Sequence, residues 1–197
     1  MKVRKIIKLC KDRRQVQTVM HEGTQWIGNG SSLYPLYRAP LFGKEELCYA
    51  YDINEKQSSE MMYRELQEIE GFSLKDYEET ETEAQGLPIA INKMGYTLLP
   101  FKTEEGIYFV DRKYLEPFGD EDEVRLYKRN RPDGAVYFVA KAGFVILGII
   151  MPVDIIKDDF VAEMKSLYSE CEMALKNKKV ERYGKIPQES LFEEDLI

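Results

Sequence analysis

The side chains that most often do chemistry are scarce in this chain. His21 is the sole histidine among 197 residues, so a two-histidine metal site within one chain is excluded. Its place on an alternating strand reads as surface, not as the base of a nucleophile pair. Cys10, Cys48 and Cys171 are odd in number and far apart, which fits neither a disulfide framework nor a zinc knuckle. Gly28-Asn29-Gly30 could cradle a phosphate, but a dinucleotide fingerprint needs a third glycine opening a helix. Here Ser31-Ser32-Leu33-Tyr34-Pro35 opens a strand or turn. Asp133 followed by Val139-Ala140-Lys141 approaches the pattern of a metal-dependent nuclease, with Val139 standing where the second acid belongs. The run Asp120-Glu121-Asp122-Glu123 lacks the spacing of a cation loop and reads as a solvated turn. The expectation is a protein that is not an enzyme and takes no cofactor.

Two groups remain, one basic and one apolar. Arg125, Lys128, Arg129 and Arg131 cluster around Tyr127, and residues 2 to 14 hold seven cations against Asp12 alone. Among those seven, Lys5, Lys8, Arg13 and Arg14 join the central cluster as candidate contacts to the phosphates of double-stranded DNA. A net charge of −7 argues against bulk adsorption to nucleic acid or lipid, though it can hide a local basic stripe. Alternation puts Arg125 and Arg129 on one face and Lys128 on the other, as any half-exposed strand would. The apolar group is in the last twelve residues, IPQESLFEEDLI, where Leu191 and Phe192 stand among carboxylates.

The elements that must position these groups follow from periodicity. Residues 3 to 9 fit either a strand or one basic helix face. Residues 15 to 22 alternate and turn at Glu22-Gly23 into residues 24 to 36, a hairpin, and residues from Gly43 form a short helix. Residues 67 to 86 carry seven acids and one base and read as a flexible loop. Beyond them, strands flank residues 102 to 105, residues 111 to 118 make a helical turn or two, and residues 123 to 130 alternate. A Pro132-Asp133-Gly134 turn leads into two last strands, the final one apolar enough to be buried on both faces. Phe160, Met164, Leu167, Cys171 and Leu175 recur at helical spacing and predict an amphipathic helix packing back on the sheet. The domain plan is a hairpin-plus-helix region at 1–66, the acidic loop at 67–86, a sheet with its helix at 87–180 and an extended tail at 181–197. The fold class is α+β, antiparallel sheets with a few packed helices. The basic N-terminus is followed by no continuous apolar run and residues 143–153 are too short to span a bilayer, so a cytoplasmic protein with no membrane contact is expected.

Lys113-Tyr114-Leu115, Glu123-Val124-Arg125-Leu126, Pro132 and Ile150-Met151-Pro152-Val153 fall in one order. Over residues 106 to 154 that order resembles the C-terminal part of a domain of the bacterial DNA polymerase III sliding clamp, the β subunit. The resemblance implies a clamp-like core and a DNA-replication setting, and it leaves a homo-oligomer open. It departs from the family in length, since the chain cannot hold the repeated domains of a ring, and in the helix and tail that continue past the clamp's end.

The same family implies a role for the tail. Partners of bacterial clamps dock a short peptide of the type Gln, any, Ser or Asp, Leu, Phe in a hydrophobic cleft, and Gln188, Ser190, Leu191 and Phe192 match it. At average residue usage, Gln-x-x-Leu-Phe is expected only ~0.03 times in a chain this long. Burying Leu191 and Phe192 would contribute ~1.5 to 3 kcal/mol each before ordering costs. The partner implied is the bacterial sliding clamp or another replication protein. The expected function is therefore a DNA-replication or repair accessory protein of a phage or mobile element. The alternative is a protein-interaction or inhibitor module with no DNA contact, recognised through residues 67 to 86.

Overall fold

A computed structural model describes residues 2–119 and 121–184. The chain divides at Asp154 into two units. The first is an α+β unit around a mostly antiparallel sheet. Its strands are β1 (Gln15–His21), β2 (Thr24–Gly28), β3 (Ser32–Pro35), β4 (Met62–Leu66), β5 (Thr82–Gly86), β6 (Ile91–Lys93), β7 (Tyr96–Thr103), β8 (Gly106–Asp111), β9 (Val124–Asn130), β10 (Val136–Ala142) and β11 (Val145–Ile150). Across the sheet they run β4-β1-β2-β3-β11-β10-β9-β5-β7-β6, with β8 paired to β7.

The N-terminal residues resolve to helix α1 (Val3–Arg13), whose Ile6, Ile7, Leu9 and Cys10 are buried. The β1–β2 hairpin turns at Glu22 and Gly23, with φ of 46° and 76°. Two successive left-handed residues make the mirror-image turn whose twist matches the strands, and glycine takes the second position without strain. Helix α2 (Lys44–Ala50) lies where the sequence places a short helix. Helix α3 (Glu55–Glu60) and the parallel pairing of β4 with β1 are not legible in the sequence. A capping box starts α3: the Asn54 side chain accepts from the Gln57 amide, and the Gln57 side chain accepts from the Asn54 amide. A 3-10 helix, Arg112–Phe118, follows β8.

Two cores form, one on each face of the central strands. α1 and the 3-10 helix close the first, in which Ile6, Cys10, Tyr114 and Phe118 join Tyr34, Phe138 and Ile150. The second holds Val19, Trp26, Tyr137, Val139, Ile146 and Ile149, with Leu66, Ile69, Phe72 and Leu74 packed against it. A register shift between Ala140 and Lys141 pairs Lys141 with Ile146 and Ala140 with Gly148. Leu147 is thereby skipped, so Ile146 and Ile149 serve the second core while Leu147 and Ile150 serve the first. The burial of residues 146–150 on both faces agrees with the apolar run.

The second unit carries helix α4 (Asp158–Gly184). Asp158 and Asp159 in its first turn complement the helix dipole. Along it Phe160 is buried, Met164 half-buried, and Leu167, Cys171 and Leu175 exposed. Helical spacing sets which side chains share a side, and it does not by itself supply anything to cover them. No described helix is long and apolar enough to cross a membrane.

Candidate nucleic-acid interface

Alternation along β9 distributes the central basic cluster before any ligand is considered. Arg125 is half-exposed and its Nη1 lies 3.4 Å from the Glu83 carboxylate on the neighbouring β5. Lys128, on the opposite face, is 6% exposed and pairs with Glu105 at 2.5 Å. Arg131 stacks its guanidinium 5.0 Å from the Phe72 ring centroid and pairs with Asp133 at 3.2 Å. Arg129 has no exposed side-chain surface. The four cations therefore do not form a common surface.

Arg129 instead sits in a buried ionic cluster. Its Nε and Nη2 donate to Glu81 Oε2 at 2.8 and 2.5 Å, and Nη1 and Nη2 donate to the Ser73 and Lys75 carbonyls at 3.0 and 2.8 Å. Lys141, on β10, donates to Glu81 Oε1 and to the Asp76 carbonyl, both at 2.5 Å, above the Tyr127 ring. Together these hydrogen bonds hold residues 73 to 81 onto the sheet. Phe72 meets Tyr137 edge-on at 5.0 Å, and the Ser73 amide donates to the Tyr137 hydroxyl at 3.0 Å. Burial raises the Tyr137 phenol pKa above its ordinary value, against the pull of that amide. Of the stretch 67–86 read as a flexible loop, residues 67 to 81 form no helix or strand, whereas residues 82 to 86 form β5 against β9 and β7, and the Glu81 side chain is only 7% exposed. Charge content could not separate a solvated carboxylate from one with two buried cations waiting for it.

The N-terminal cations remain at the surface. Arg4 and Lys8 are exposed and make no ion pair among the described residues. Lys5 pairs with Glu116 at 2.8 Å, both about half-exposed, and this contact holds the Glu116 carboxyl below its ordinary pKa. Arg13 donates to the Ser31 hydroxyl, and Arg14 pairs with Glu60 at 3.4 Å. Lys11 donates to the Tyr51 carbonyl at 2.9 Å, which ties α1 to the end of α2. Among the candidates, Lys5 and Lys8 therefore face one groove, while Arg13 and Arg14 are engaged at the far end of the helix.

That groove, of about 580 Å³, is lined by Lys2, Val3, Arg4, Lys5, Lys8 and Tyr51. A second, of about 260 Å³, shares Arg4, Lys8 and Tyr51 with it and reaches Lys11 and Asp52. Arg4, Lys8 and Lys11, at i, i+4 and i+7, form one helical stripe, so their charges add along a single line. Arg4, Lys11 and Tyr51 are absent from the sequence-based candidates. The i, i+4, i+7 spacing could have found the two cations once a helix was chosen for residues 3 to 9. Nothing local could have found Tyr51.

The chain matches no family model, no curated protein and no solved structure.

Function therefore rests on the groove's chemistry. Among the described residues no group of His, Cys, Asp and Glu side chains converges as metal ligands. The Gly28-Asn29-Gly30 segment is a turn held from within: Asn29 Oδ1 accepts from the Ser31 and Ser32 amides, and its Nδ2 donates to the Leu9 carbonyl. What the α1 surface offers is positive charge without an ion pair among the described residues, at Arg4 and Lys8, beside Tyr51. Gln188, Ser190, Leu191 and Phe192 lie outside the described residues, as does Asp120.

Proposed function

We propose that this chain is a non-enzymatic accessory protein of DNA replication or repair, acting in the cytoplasm of a bacterium, that contacts nucleic acid through α1. The observation carrying this reading is the pair of exposed cations Arg4 and Lys8, without an ion pair among the described residues, in two adjoining grooves of which Lys2 and Lys5 line one and Lys11 the other. In the same reading the core is clamp-like, and Gln188, Ser190, Leu191 and Phe192 dock on the replicative clamp of a host. The clamp-like core rests on the resemblance of residues 106 to 154 to the clamp domain.

Binding of the full chain to labelled DNA across a salt series tests the proposal. Affinity should fall steeply with salt, by ~10-fold or more between about 50 and 200 mM if two or more phosphates are neutralised. Flat or negligible binding throughout would refute it. Separately, the full chain should bind a bacterial β clamp and lose that binding when Leu191 and Phe192 are both replaced by alanine; equal binding would refute the docking role.

A second reading, a protein-interaction module with no DNA contact, draws on the matching of Arg125, Lys128 and Arg129 to Glu83, Glu105 and Glu81. It predicts that DNA binding is absent even at low salt.

A further inference from the structure

We infer that the α1 groove takes single-stranded nucleic acid in preference to duplex, with the Tyr51 ring as a stacking platform for a base and Arg4, Lys8 and Lys11 on its phosphates. The inference rests on the nucleic-acid reading above and specifies its substrate.

A helix that reads duplex DNA must protrude far enough to enter a major groove. α1 is instead flanked on both sides. The Lys2 amide donates to the Pro117 carbonyl at 2.9 Å and Lys5 reaches Glu116, which joins it to the 3-10 helix. On the other side Lys11 is bonded to Tyr51 at the end of α2. Ile6, Ile7, Leu9 and Cys10 are committed to the core, so the surface left to α1 between those two contacts carries Arg4 and Lys8. Asp52, which lines the second groove and has no cation paired to it among the described residues, would oppose the second phosphate chain of a duplex.

Tyr51 supplies what a single strand needs and a duplex backbone cannot use. Its ring is half-buried, propped by the Phe42 ring at a centroid distance of 6.0 Å. Its backbone is fixed by donation from Tyr51 N to the Leu47 carbonyl at 3.2 Å and by the Lys11 ammonium on its own carbonyl. Both grooves include Tyr51 together with Arg4 and Lys8. Burial raises the phenol pKa, with Arg4 acting in the opposite direction, so the Arg4 charge is within reach of the ring. A half-buried aromatic side chain, packed on the first core and lining the groove beside two cations with no ion pair among the described residues, supplies the two parts that sequence-tolerant single-strand binders combine, stacking and backbone contact.

The test uses the full chain, fluorescein-labelled oligothymidylate of about 20 nucleotides and a duplex of the same length, titrated by anisotropy at ~50 mM salt. The expected result is single-strand binding at least ~10-fold tighter than duplex, a loss of ~10-fold on the single strand in Tyr51→Leu, and retention in Tyr51→Phe. Circular dichroism checks that each variant is folded. Photo-cross-linking of wild-type protein to bromouracil-substituted strand is the second measurement, with the adduct expected on the peptide containing Tyr51. Equal binding of both probes, an unchanged Tyr51→Leu, or an adduct confined to other peptides would overturn the inference and leave the nucleic-acid reading standing. Absence of binding to both probes would overturn the two together.

Discussion

Replacing Glu81 by alanine removes the carboxylate that Arg129 and Lys141 share, and the consequence can be worked from the geometry. Each carboxylate oxygen has a cation at 2.5 Å, and the side chains of Glu81, Arg129 and Lys141 are 7%, 0% and 4% exposed. Removing one partner of such a buried set leaves charge without compensation and costs ~3 to 5 kcal/mol. That is a large share of the ~5 to 15 kcal/mol that holds an ordinary domain folded. In urea, with a slope of ~1 to 3 kcal/mol per molar, the unfolding midpoint should drop by roughly 1 to 5 M. Glu83→Ala is the internal comparison, because it removes an exposed partner of Arg125 and should cost no more than about 0.5 kcal/mol. Replacing the whole set, Glu81→Leu with Arg129→Met and Lys141→Met, should recover most of the loss, since well-packed apolar groups can stand in for a buried ion cluster to within about 1 kcal/mol. A Glu81→Ala protein within about 1 kcal/mol of wild type, or no less stable than Glu83→Ala, would refute the assignment of this cluster as the anchor of residues 73 to 81.

Other consequences are simpler to read out. Cys10 is buried and its thiol pKa is pushed up to about 12, whereas Cys171 is exposed, so native-state alkylation at pH ~8 should modify Cys171 first and Cys10 only on unfolding. Mass spectrometry of the alkylated peptides checks this order, and early labelling of Cys10 would contradict its placement. Gly28→Ala should destabilise by ~2 kcal/mol or more in thermal unfolding, because a Cβ at Gly28 would overlap the Ser32 carbonyl across the turn. Asn54→Ala removes the start of α3 and should cost ~1 kcal/mol, with Asn54→Asp retaining most of the stability.

Periodicity made the β1–β2 hairpin, the β7–β8 hairpin, β9 to β11 and the existence of α4 legible, since each has either strict alternation or a helical repeat bounded by turn residues. α3 and β4 were not, because residues 54 to 66 are polar and short, and their form depends on the Asn54 cap and on β1 as a template. β9 is a strand as its alternation predicts, and that alternation separates Arg129 from Lys128. Alternation gives the face of a side chain without saying what covers it. Leu66, Ile69, Phe72 and Leu74, in and beside the acidic stretch, were the available signal that this stretch is a cover, since they pack on the second core. In α4 the helical spacing joins a buried Phe160 to exposed Leu167 and Leu175. Of the interface, Lys5 and Lys8 were legible as part of a basic stripe, whereas Tyr51 reaches α1 only through the fold.

Whether α1 neutralises phosphates is tested most directly by removing charge at Arg4 and Lys8, which make no ion pair among the described residues. Arg4→Ala and Lys8→Ala, both exposed, should leave the fold intact. Each should weaken single-strand binding and lower the slope of log affinity against log salt by roughly 0.7, the change expected when one phosphate is no longer neutralised. The double variant should lower it by the sum. A slope that stays at the wild-type value in both single variants would contradict phosphate binding by α1.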